Sequence, residues 1–215
     1  MKWIHYCSAY KIPFYIYKLQ TGDAFIYKQK DIIEEEFRII LHGVIYLTKV
    51  FTNKEIVSLA ILNVNDIISN ITWNRSSTNT YYKAIALQKT YVISFTRKNF
   101  FQCNKFDPIA INYITKIYQK TLYKYELMTS ITTHKYVKYR LIQLILILCQ
   151  EFGHIEQSNI LIPFEISQIT LGIITGSNKI TINKIIRKLC NEMLINYKYG
   201  KHLNVSDPFA LSYFK

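Results

Sequence analysis

Residues 166–194, ISQITLGIITGSNKITINKIIRKLCNEML, form the stretch that decides the fold. The stretch divides into two helical segments at Thr175-Gly176-Ser177, where Gly176 can adopt the positive φ that ends a helix. Ser177 is a favourable N-cap for the second segment, because its hydroxyl can accept from the first backbone N–H groups. The sequence therefore predicts two helices joined by a Gly-Ser corner.

The second predicted helix has one apolar face and one basic face. Its opposite sides combine a core-packing surface with amide, hydroxyl and cationic groups, which is the chemistry of a recognition helix in a helix-turn-helix. Any two-helix hairpin can show a Gly corner, so this pattern by itself leaves a purely structural interpretation open. The apolar residues are Ile182, Ile185, Ile186 and Leu189, and the polar ones are Asn178, Lys179, Thr181, Asn183, Lys184, Arg187 and Lys188.

The composition describes a basic chain with ample material for a core. Its 215 residues suit one large domain or two small ones, and half of them are hydrophobic. The formal charge of +13 favours a polyanionic partner. That excess is spread over both halves, however, and the abundance of Ile, Lys, Asn and Tyr is typical of an AT-rich coding sequence. Part of the charge can therefore be compositional.

The four cysteines are far apart and match no metal-ligand spacing. We therefore expect reduced structural thiols, no metal and a reducing compartment. No apolar run is long enough for a membrane span, and the N-terminus lacks the apolar region of a signal peptide. A membrane partner is not expected. The cysteines are Cys7, Cys103, Cys149 and Cys190.

The first half of the chain predicts short strands, and the middle predicts one long helix. Strands at about residues 14–17, 37–41, 44–47 and 91–95 suggest a β-sandwich or small barrel, with Asp66 and Asp107 interpreted as turn residues. Residues 108–133 are then helical. The heptad-like seam of this helix can pack on the barrel or pair two copies, and its uninterrupted length favours a dimerisation helix. The seam is Ile114, Tyr118, Thr121, Tyr125 and Met128.

The last third predicts further elements around the two-helix corner. An apolar helix over 136–152 ends at Gly153, and a strand-like piece over 160–162 precedes Pro163. Residues 194–197 and 202–205 predict a β-hairpin, or wing, whose Lys198, Lys201 and His202 can reach phosphates.

Several short stretches resemble one family of regulators. They are LILILC at 144–149, EFG at 151–153, Ile-Ser at 166–167, Gly-Ser at 176–177, ITI at 180–182 and DPFALS at 207–212. With the order barrel, long helix and winged helix-turn-helix, they resemble the catabolite activator/fumarate-nitrate regulator (Crp-Fnr) family. Within that family the likeness is to the cyanobacterial global nitrogen regulators and their homologue encoded in red-algal plastids. It spans nearly the whole chain and is more specific in the last third.

The resemblance implies an α+β fold in three parts. These are a cupin-like β-barrel resembling cyclic-nucleotide-binding domains over 1–107, a dimerisation helix over 108–133, and a winged helix-turn-helix over 134–215. It implies a homodimeric, non-enzymatic transcription activator that binds palindromic double-stranded promoter DNA, contacts RNA polymerase and controls nitrogen genes. The same likeness implies the plastid (chloroplast) stroma, or otherwise a bacterial cytoplasm.

The resemblance also assigns the DNA contacts. Lys179 and Lys184 match basic contact positions, although lysine reads guanine less well than arginine because it is a point donor. Ile180 matches an aliphatic residue of the nitrogen regulators, so the sequence preference should follow theirs. The expected DNA-binding residues are Ser177, Asn178, Lys179, Thr181, Asn183, Lys184, Arg187, Lys188, Lys198 and Lys201.

The effector pocket departs from the family pattern. Residues 67–72, IISNIT, lack the Gly-Glu pair of the cyclic-nucleotide members, and Arg75-Ser76 comes too early, so cyclic AMP is not expected. The nitrogen regulators bind 2-oxoglutarate, but their two arginines fall here near Thr80 and at Thr121. Losing both cations should weaken capture of a dicarboxylate, so we expect an altered pocket. The remaining effector positions are Ile68, Ser69 and Glu126, with Lys83, Lys120 and Lys124 near enough to substitute.

Two other function classes are weighed against a specific regulator. Cys149 and His154 could in principle form a nucleophilic pair, but Cys149 lies on an apolar helix face without a third orienting group, so no enzyme is expected. The non-enzymatic alternative is a basic module that binds RNA, DNA or membrane lipid through charge alone.

Overall fold

A computed structural model describes residues 2–27, 36–68, 80–103, 108–198 and 202–214. The chain forms two compact units, Met1–Leu127 and Met128–Lys215. The boundary between them falls inside the long central helix, Pro108–Thr133, whose bounds agree with the helix predicted at 108–133. That helix therefore belongs mostly to the N-terminal unit.

The N-terminal unit is built of antiparallel strands with helices at both ends. Its elements are α1 (Lys2–Ala9), β1 (Tyr15–Leu19), β2 (Ala24–Tyr27), β3 (Glu36–His42), β4 (Ile45–Phe51), β5 (Ile56–Leu62), β6 (Thr80–Ala86), β7 (Thr90–Thr96), α2 (Arg97–Cys103) and α3 (Pro108–Thr133). The strands form two sheets, in the orders β1-β7-β3 and β2-β6-β4-β5. These antiparallel sheets agree with the expected β-sandwich or small barrel, whereas α1 and α2 were not predicted.

Alternating burial explains how these strands enclose a core. In β6 every second side chain is buried, as the two-residue period of a strand requires. The buried residues Leu47, Tyr82 and Val92 meet in one apolar cluster drawn from both sheets. At the β3–β4 turn, a Cβ on Gly43 would lie 2.7 Å from the backbone of Thr90, so only glycine fits. The strands are thus held close at this turn.

A second, aromatic cluster contains the two unpredicted helices. Trp3 of α1 packs 5.8 Å from Phe95, and Phe100 of α2 lies 5.4 Å from Phe37, measured between ring centroids. The N-terminal segment forms a helix because burial of Trp3 and Cys7 against this cluster outweighs a local sequence that carries no helix signal.

The seam of α3 packs on the chain's own strands rather than on a second copy. Ile114 and Tyr118 belong to the aromatic cluster, and Tyr125 packs on the cluster between the sheets. The Thr121 hydroxyl accepts from Ile67 N at 3.1 Å. Of the two roles left open for this seam, these residues fit packing on the barrel, and a dimerisation role for α3 stays a prediction. The exposed apolar side chains of α3 are instead Ile109, Ile111, Tyr113, Leu122 and Tyr123.

The C-terminal unit surrounds a small sheet with helices. Its elements are α4 (Val137–Phe152), β8 (His154–Glu156), β9 (Asn159–Glu165), α5 (Gln168–Thr175), α6 (Lys179–Asn191), β10 (Ile195–Lys198), β11 (His202–Val205) and α7 (Pro208–Ser212). The sheet has the order β10-β11-β9-β8, so the predicted wing hairpin is present and β9 continues through Pro163. Gly153 ends α4 as predicted.

The cysteines of the described chain are free thiols. Cys7 and Cys149 are buried, and burial raises the pKa of each thiol to about 11. The side chain of Cys103 lies outside the described residues. Within the described ranges, no helix is long and apolar enough to cross a membrane. Nor do His, Cys, Asp or Glu side chains cluster in threes around a possible metal position in those ranges.

Candidate DNA-binding site

The corner between α5 and α6 is fixed by backbone geometry. Gly176 has φ 63° and ψ 41°, the left-handed conformation predicted for it. The next N–H, that of Ser177, donates to Gly172 O at 2.8 Å. A Cβ on Gly172 would lie 2.8 Å from the carbonyl oxygen of Ser177, so the two helices can approach this closely only with glycine there. The corner is consequently tight and has one conformation.

The N-cap of α6 is Asn178, which corrects the expectation for Ser177. Asn178 Oδ1 accepts from Thr181 N at 2.8 Å, whereas the Ser177 N–H is already used to close the corner. The helix therefore begins one residue later than expected, at Lys179. As a result the Asn178 side chain keeps both amide N–H donors, and one lone pair of Oδ1, for another molecule.

The two faces of α6 separate as the sequence predicts. Ile182, Ile186 and Leu189 are buried, and Ile185 is half-buried. The exposed side carries four cations and no carboxylate within the helix. Of the expected contact residues, those that are exposed are Asn178, Lys179, Lys184, Arg187 and Lys188, and those that are half-buried are Ser177, Thr181 and Asn183.

Arg140 of α4 holds the corner from behind. Its Nη1 donates to Thr175 O at 3.1 Å, and its Nε donates to His134 O at 2.7 Å. Carbonyls at the C-terminal end of α5 have no partner within their own helix, so the guanidinium satisfies one of them and ties α5 to the start of α4. Nothing in the local sequence marks Arg140 for this positioning role.

A groove beside α6 places a further lysine next to the cations of that helix, and its position there is not evident from the sequence. Lys138 of α4 lines it together with Lys184 and Lys188. The Lys138 Nζ lies 4.1 Å from the ring centroid of Phe214, a cation–π contact that orients the lysine. Glu192 also lines the groove and limits its positive charge. Because Lys138 and Phe214 are remote from α6 in sequence, only the fold brings them to it.

The wing is placed by strand pairing. Tyr197 pairs with Leu203 and Lys198 with His202 across β10 and β11. The side chain of Lys198 and the whole of Lys201 lie outside the described residues, so their expected phosphate contacts stay predictions.

The expected effector residues lie in the N-terminal unit. Ile68 is buried, and its N–H already donates to Arg38 O at 2.7 Å. Glu126 is exposed on α3, and Ser69 lies outside the described residues. An effector role for these three residues therefore stays a prediction, and the donor expected from Ile68 is already in use.

Asp66 is not a simple turn residue. Its side chain is fully buried, and its Oδ2 lies 2.7 Å from the Nζ of Lys124. Its other oxygen, Oδ1, lies 3.4 Å from the Nζ of Lys120. The lysines that could have replaced the missing arginines thus face a carboxylate of the same chain.

The expected absence of a nucleophilic cysteine agrees with the chemistry of Cys149. Burial raises the pKa of its thiol to about 11, which disfavours the reactive thiolate at neutral pH. His154 is exposed at the start of β8.

A tight two-helix corner, a basic outer helix and a wing define a winged helix-turn-helix protein of the DNA-binding class. The chain is 26% identical over 211 residues to an HTH-type transcriptional regulator, ycf28, of Porphyra purpurea, covering 98% of this chain and 86% of the relative. It is 24% identical over 209 residues to the global nitrogen regulator of Synechococcus elongatus, covering 94% and 90%.

Solved structures agree with this relationship at the level of the fold. A CRP/FNR-family transcriptional regulator from Thermus thermophilus matches with a TM-score of 0.69 and 17% identity, covering 92% of this chain and 96% of that one. No family model matches the chain. The sequence similarity supports a DNA-binding transcriptional regulator similar to the global nitrogen regulators, and the fold is that of CRP/FNR-family regulators.

Proposed function

We propose that the protein binds palindromic promoter DNA as a dimer and regulates nitrogen-controlled genes. The observation that carries this proposal is the exposed face of α6, which has four cations and no carboxylate and stands on a rigid corner. A helix of this kind fits the major groove, where side chains near its N-terminus meet base edges. The kinship with global nitrogen regulators supports the choice of genes.

The positions along α6 suggest a division of labour. Lys179 and the exposed Ile180 lie in its first turn, where they can meet base edges, and Asn178 can add its amide N–H groups. Lys188 and the groove residue Lys138 lie further back, where they can neutralise phosphates. Sequence preference should therefore come from the start of α6, and salt-dependent affinity from its end.

Selection of binding sites from random DNA tests the proposal directly. We expect a palindromic consensus of the GTA…TAC type, bound about a thousandfold or more tightly than scrambled DNA at physiological salt. A protein that binds every sequence equally, and loses binding as salt rises, would instead be the basic module that works through charge alone.

The dimer is proposed to use the exposed face of α3. Leu122 and Tyr123 are 44% and 46% exposed and lie on the outer side of the helix. In dimers of this DNA-binding class the two recognition helices lie about 34 Å apart, one turn of DNA. Sedimentation of the Leu122→Glu variant should show monomers at concentrations where the wild type dimerises. An unchanged mass would place the interface elsewhere.

We expect no requirement for 2-oxoglutarate, because the resemblance places a threonine where the family has its helix arginine, and the Ile68 donor is in use. Calorimetric titration of the purified protein checks this point. Binding in the micromolar range would show that the pocket retains the family ligand.

A further inference from the structure

Two lysines of α3 converge on one carboxylate in the interior of the N-terminal unit. Lys120 and Lys124 are one helical turn apart, so both can reach the same point. The Lys124 Nζ lies 2.7 Å from Asp66 Oδ2, and the Lys120 Nζ lies 3.4 Å from Asp66 Oδ1. The side chains of Lys124 and Asp66 are 3% and 0% exposed. This is a buried anion site that already holds its anion.

The segment that supplies the carboxylate is attached to α3 at several points. Asp66 belongs to residues 63–68, which follow β5. The Lys120 Nζ donates to Asn63 Oδ1 at 3.0 Å and to Val64 O at 3.1 Å. Next to Asp66, the Ile67 N–H donates to the Thr121 hydroxyl at 3.1 Å. Charge and hydrogen bonds therefore join the segment to three polar side chains within little more than one turn of α3, those of Lys120, Thr121 and Lys124.

The same segment is also joined to the sheet. Asn65 N donates to Ile40 O at 2.8 Å, and Ile68 N donates to Arg38 O at 2.7 Å, both on β3. The segment thus bridges β3 and α3, and the Asp66 carboxylate also accepts from the N–H of Asn63 at 2.7 Å. The carboxylate is the one fully charged group that this bridge offers to α3.

A buried ammonium is tolerated only beside an anion, because losing water is costly for an unpaired charge. The carboxylate at this point therefore stabilises the buried ammonium of Lys124. A carboxylate on a diffusible molecule would meet the same two ammonium groups and the N–H of Asn63, which donates to Asp66 Oδ2 at 2.7 Å. In this chain the anion is attached covalently to the segment that it fixes.

We propose that Lys120 and Lys124 form a carboxylate-binding site that the chain fills with its own Asp66. The tethered carboxylate fixes residues 63–68 to α3 without any diffusible ligand, and it excludes small carboxylates from the site. Removing Asp66 converts the position into an open site for formate or acetate. The regulatory meaning, DNA binding that needs no added dicarboxylate, rests on the proposed function.

Chemical rescue of Asp66→Ala in the full-length chain tests the site. Thermal unfolding is followed in formate, acetate or chloride at equal ionic strength. The variant should melt about 10 °C below the wild type in chloride. Formate and acetate should recover about half of that loss by binding only the folded state. The wild type and an Asp23→Ala control, which changes an exposed carboxylate, should show no difference between the three salts.

The double variant Asp66→Ala/Lys124→Met removes both buried charges and serves as the second test. It should melt above Asp66→Ala and should not respond to formate. The proposal is overturned if Asp66→Ala responds equally to chloride and formate, or if the double variant still responds. It is also overturned if Asp66→Ala stays unfolded in formate while the double variant folds.

Measuring operator binding in the same salts tests the carboxylate site separately from the proposed function. The wild type should bind its selected operator equally with and without 2-oxoglutarate, and Asp66→Ala should bind better in formate than in chloride. Rescue of unfolding without operator binding by any variant would sink the regulator proposal and leave the carboxylate site. Normal operator binding by the wild type, with no rescue of Asp66→Ala, would sink the carboxylate site alone.

Discussion

The two units use lysine in opposite ways. In the C-terminal unit, the cations of α6 face solvent, and none of them forms an ion pair with another described residue. In the N-terminal unit, Lys124 is buried against Asp66. A cation without an internal counter-ion is available to an external anion such as DNA, whereas a paired and buried one is not. The difference suggests that the exposed cations of the C-terminal unit bind an external anion, whereas the buried lysine of the N-terminal unit is neutralised within the chain.

The largest effect on the outward-binding surface is expected from Gly172→Ala. The added Cβ would lie 2.8 Å from Ser177 O, a backbone atom that cannot move without opening the corner. We expect a loss of about 2–3 kcal/mol in stability and a loss of operator affinity. Calorimetry measures the loss of stability, and a gel-shift assay measures the loss of operator affinity. Gly22→Ala, strained by φ 89° in the other unit, should lower stability and leave operator affinity intact.

Lys179→Ala should flatten sequence preference more than it lowers total affinity. A base-edge contact in the first turn of α6 carries about 1–3 kcal/mol of discrimination. Lys198→Ala in the wing should instead weaken binding to all sequences alike. Affinities for the operator and for single-base variants distinguish these outcomes. A uniform loss from both substitutions would mean that α6 does not read bases.

Lys138→Gln should cost one phosphate contact. The slope of log affinity against log salt should fall by about one, with sequence preference unchanged. Phe214→Ala should give part of the same effect, since the ring orients the lysine through a 4.1 Å contact. Lys116→Gln, an exposed lysine on α3, is the matched control. If the salt slope changed equally in all three variants, the groove would contribute only through the net charge of the protein and not through a specific phosphate contact.

The smallest expected effect is a pH dependence of stability that comes from the buried thiols. Burial disfavours the charged thiolate, as it disfavours any unpaired charge. Burial raises the pKa of Cys7 from 9.0 to about 11, so the folded state holds this proton more tightly than the unfolded state. The contribution is constant below about pH 9, and stability falls as pH rises from about 9 to 11. The contribution is measured as the free energy of unfolding in urea of the wild type minus that of Cys7→Ala, at pH 8 and at pH 10. A difference that grows with pH would contradict the burial argument.

Local patterns predicted the elements that depend on local chemistry. The helix at 108–133 was predicted with its observed ends, because no Gly or Pro interrupts it, and Gly176 adopts its expected conformation. The apolar face of α6 was predicted because a 3.6-residue period is visible in sequence. The cap was misplaced by one residue, because the use of the Ser177 N–H by Gly172 O is decided by the corner as a whole.

Features made by distant residues could not be predicted. The pairing of Asp66 with Lys124 joins a loop to a helix, and each residue alone looks ordinary. For the seam of α3, packing on the barrel and pairing of two copies were both left open, because periodicity shows that a face is buried and not what buries it. Lys138 and Phe214 meet beside α6 only through the packing of α4 with the last helix. Tertiary contact decided all of these cases.

The cap at Asn178 has a consequence for how the protein ages. Aspartate caps a helix about as well as asparagine, so deamidation at this position would leave α6 folded. The new carboxylate would nevertheless stand at the start of the helix that we propose binds DNA, where it would repel phosphates. An uncharged cap is therefore required here by the partner rather than by the helix. Deamidation of this one residue would therefore weaken DNA binding by α6 without unfolding the helix.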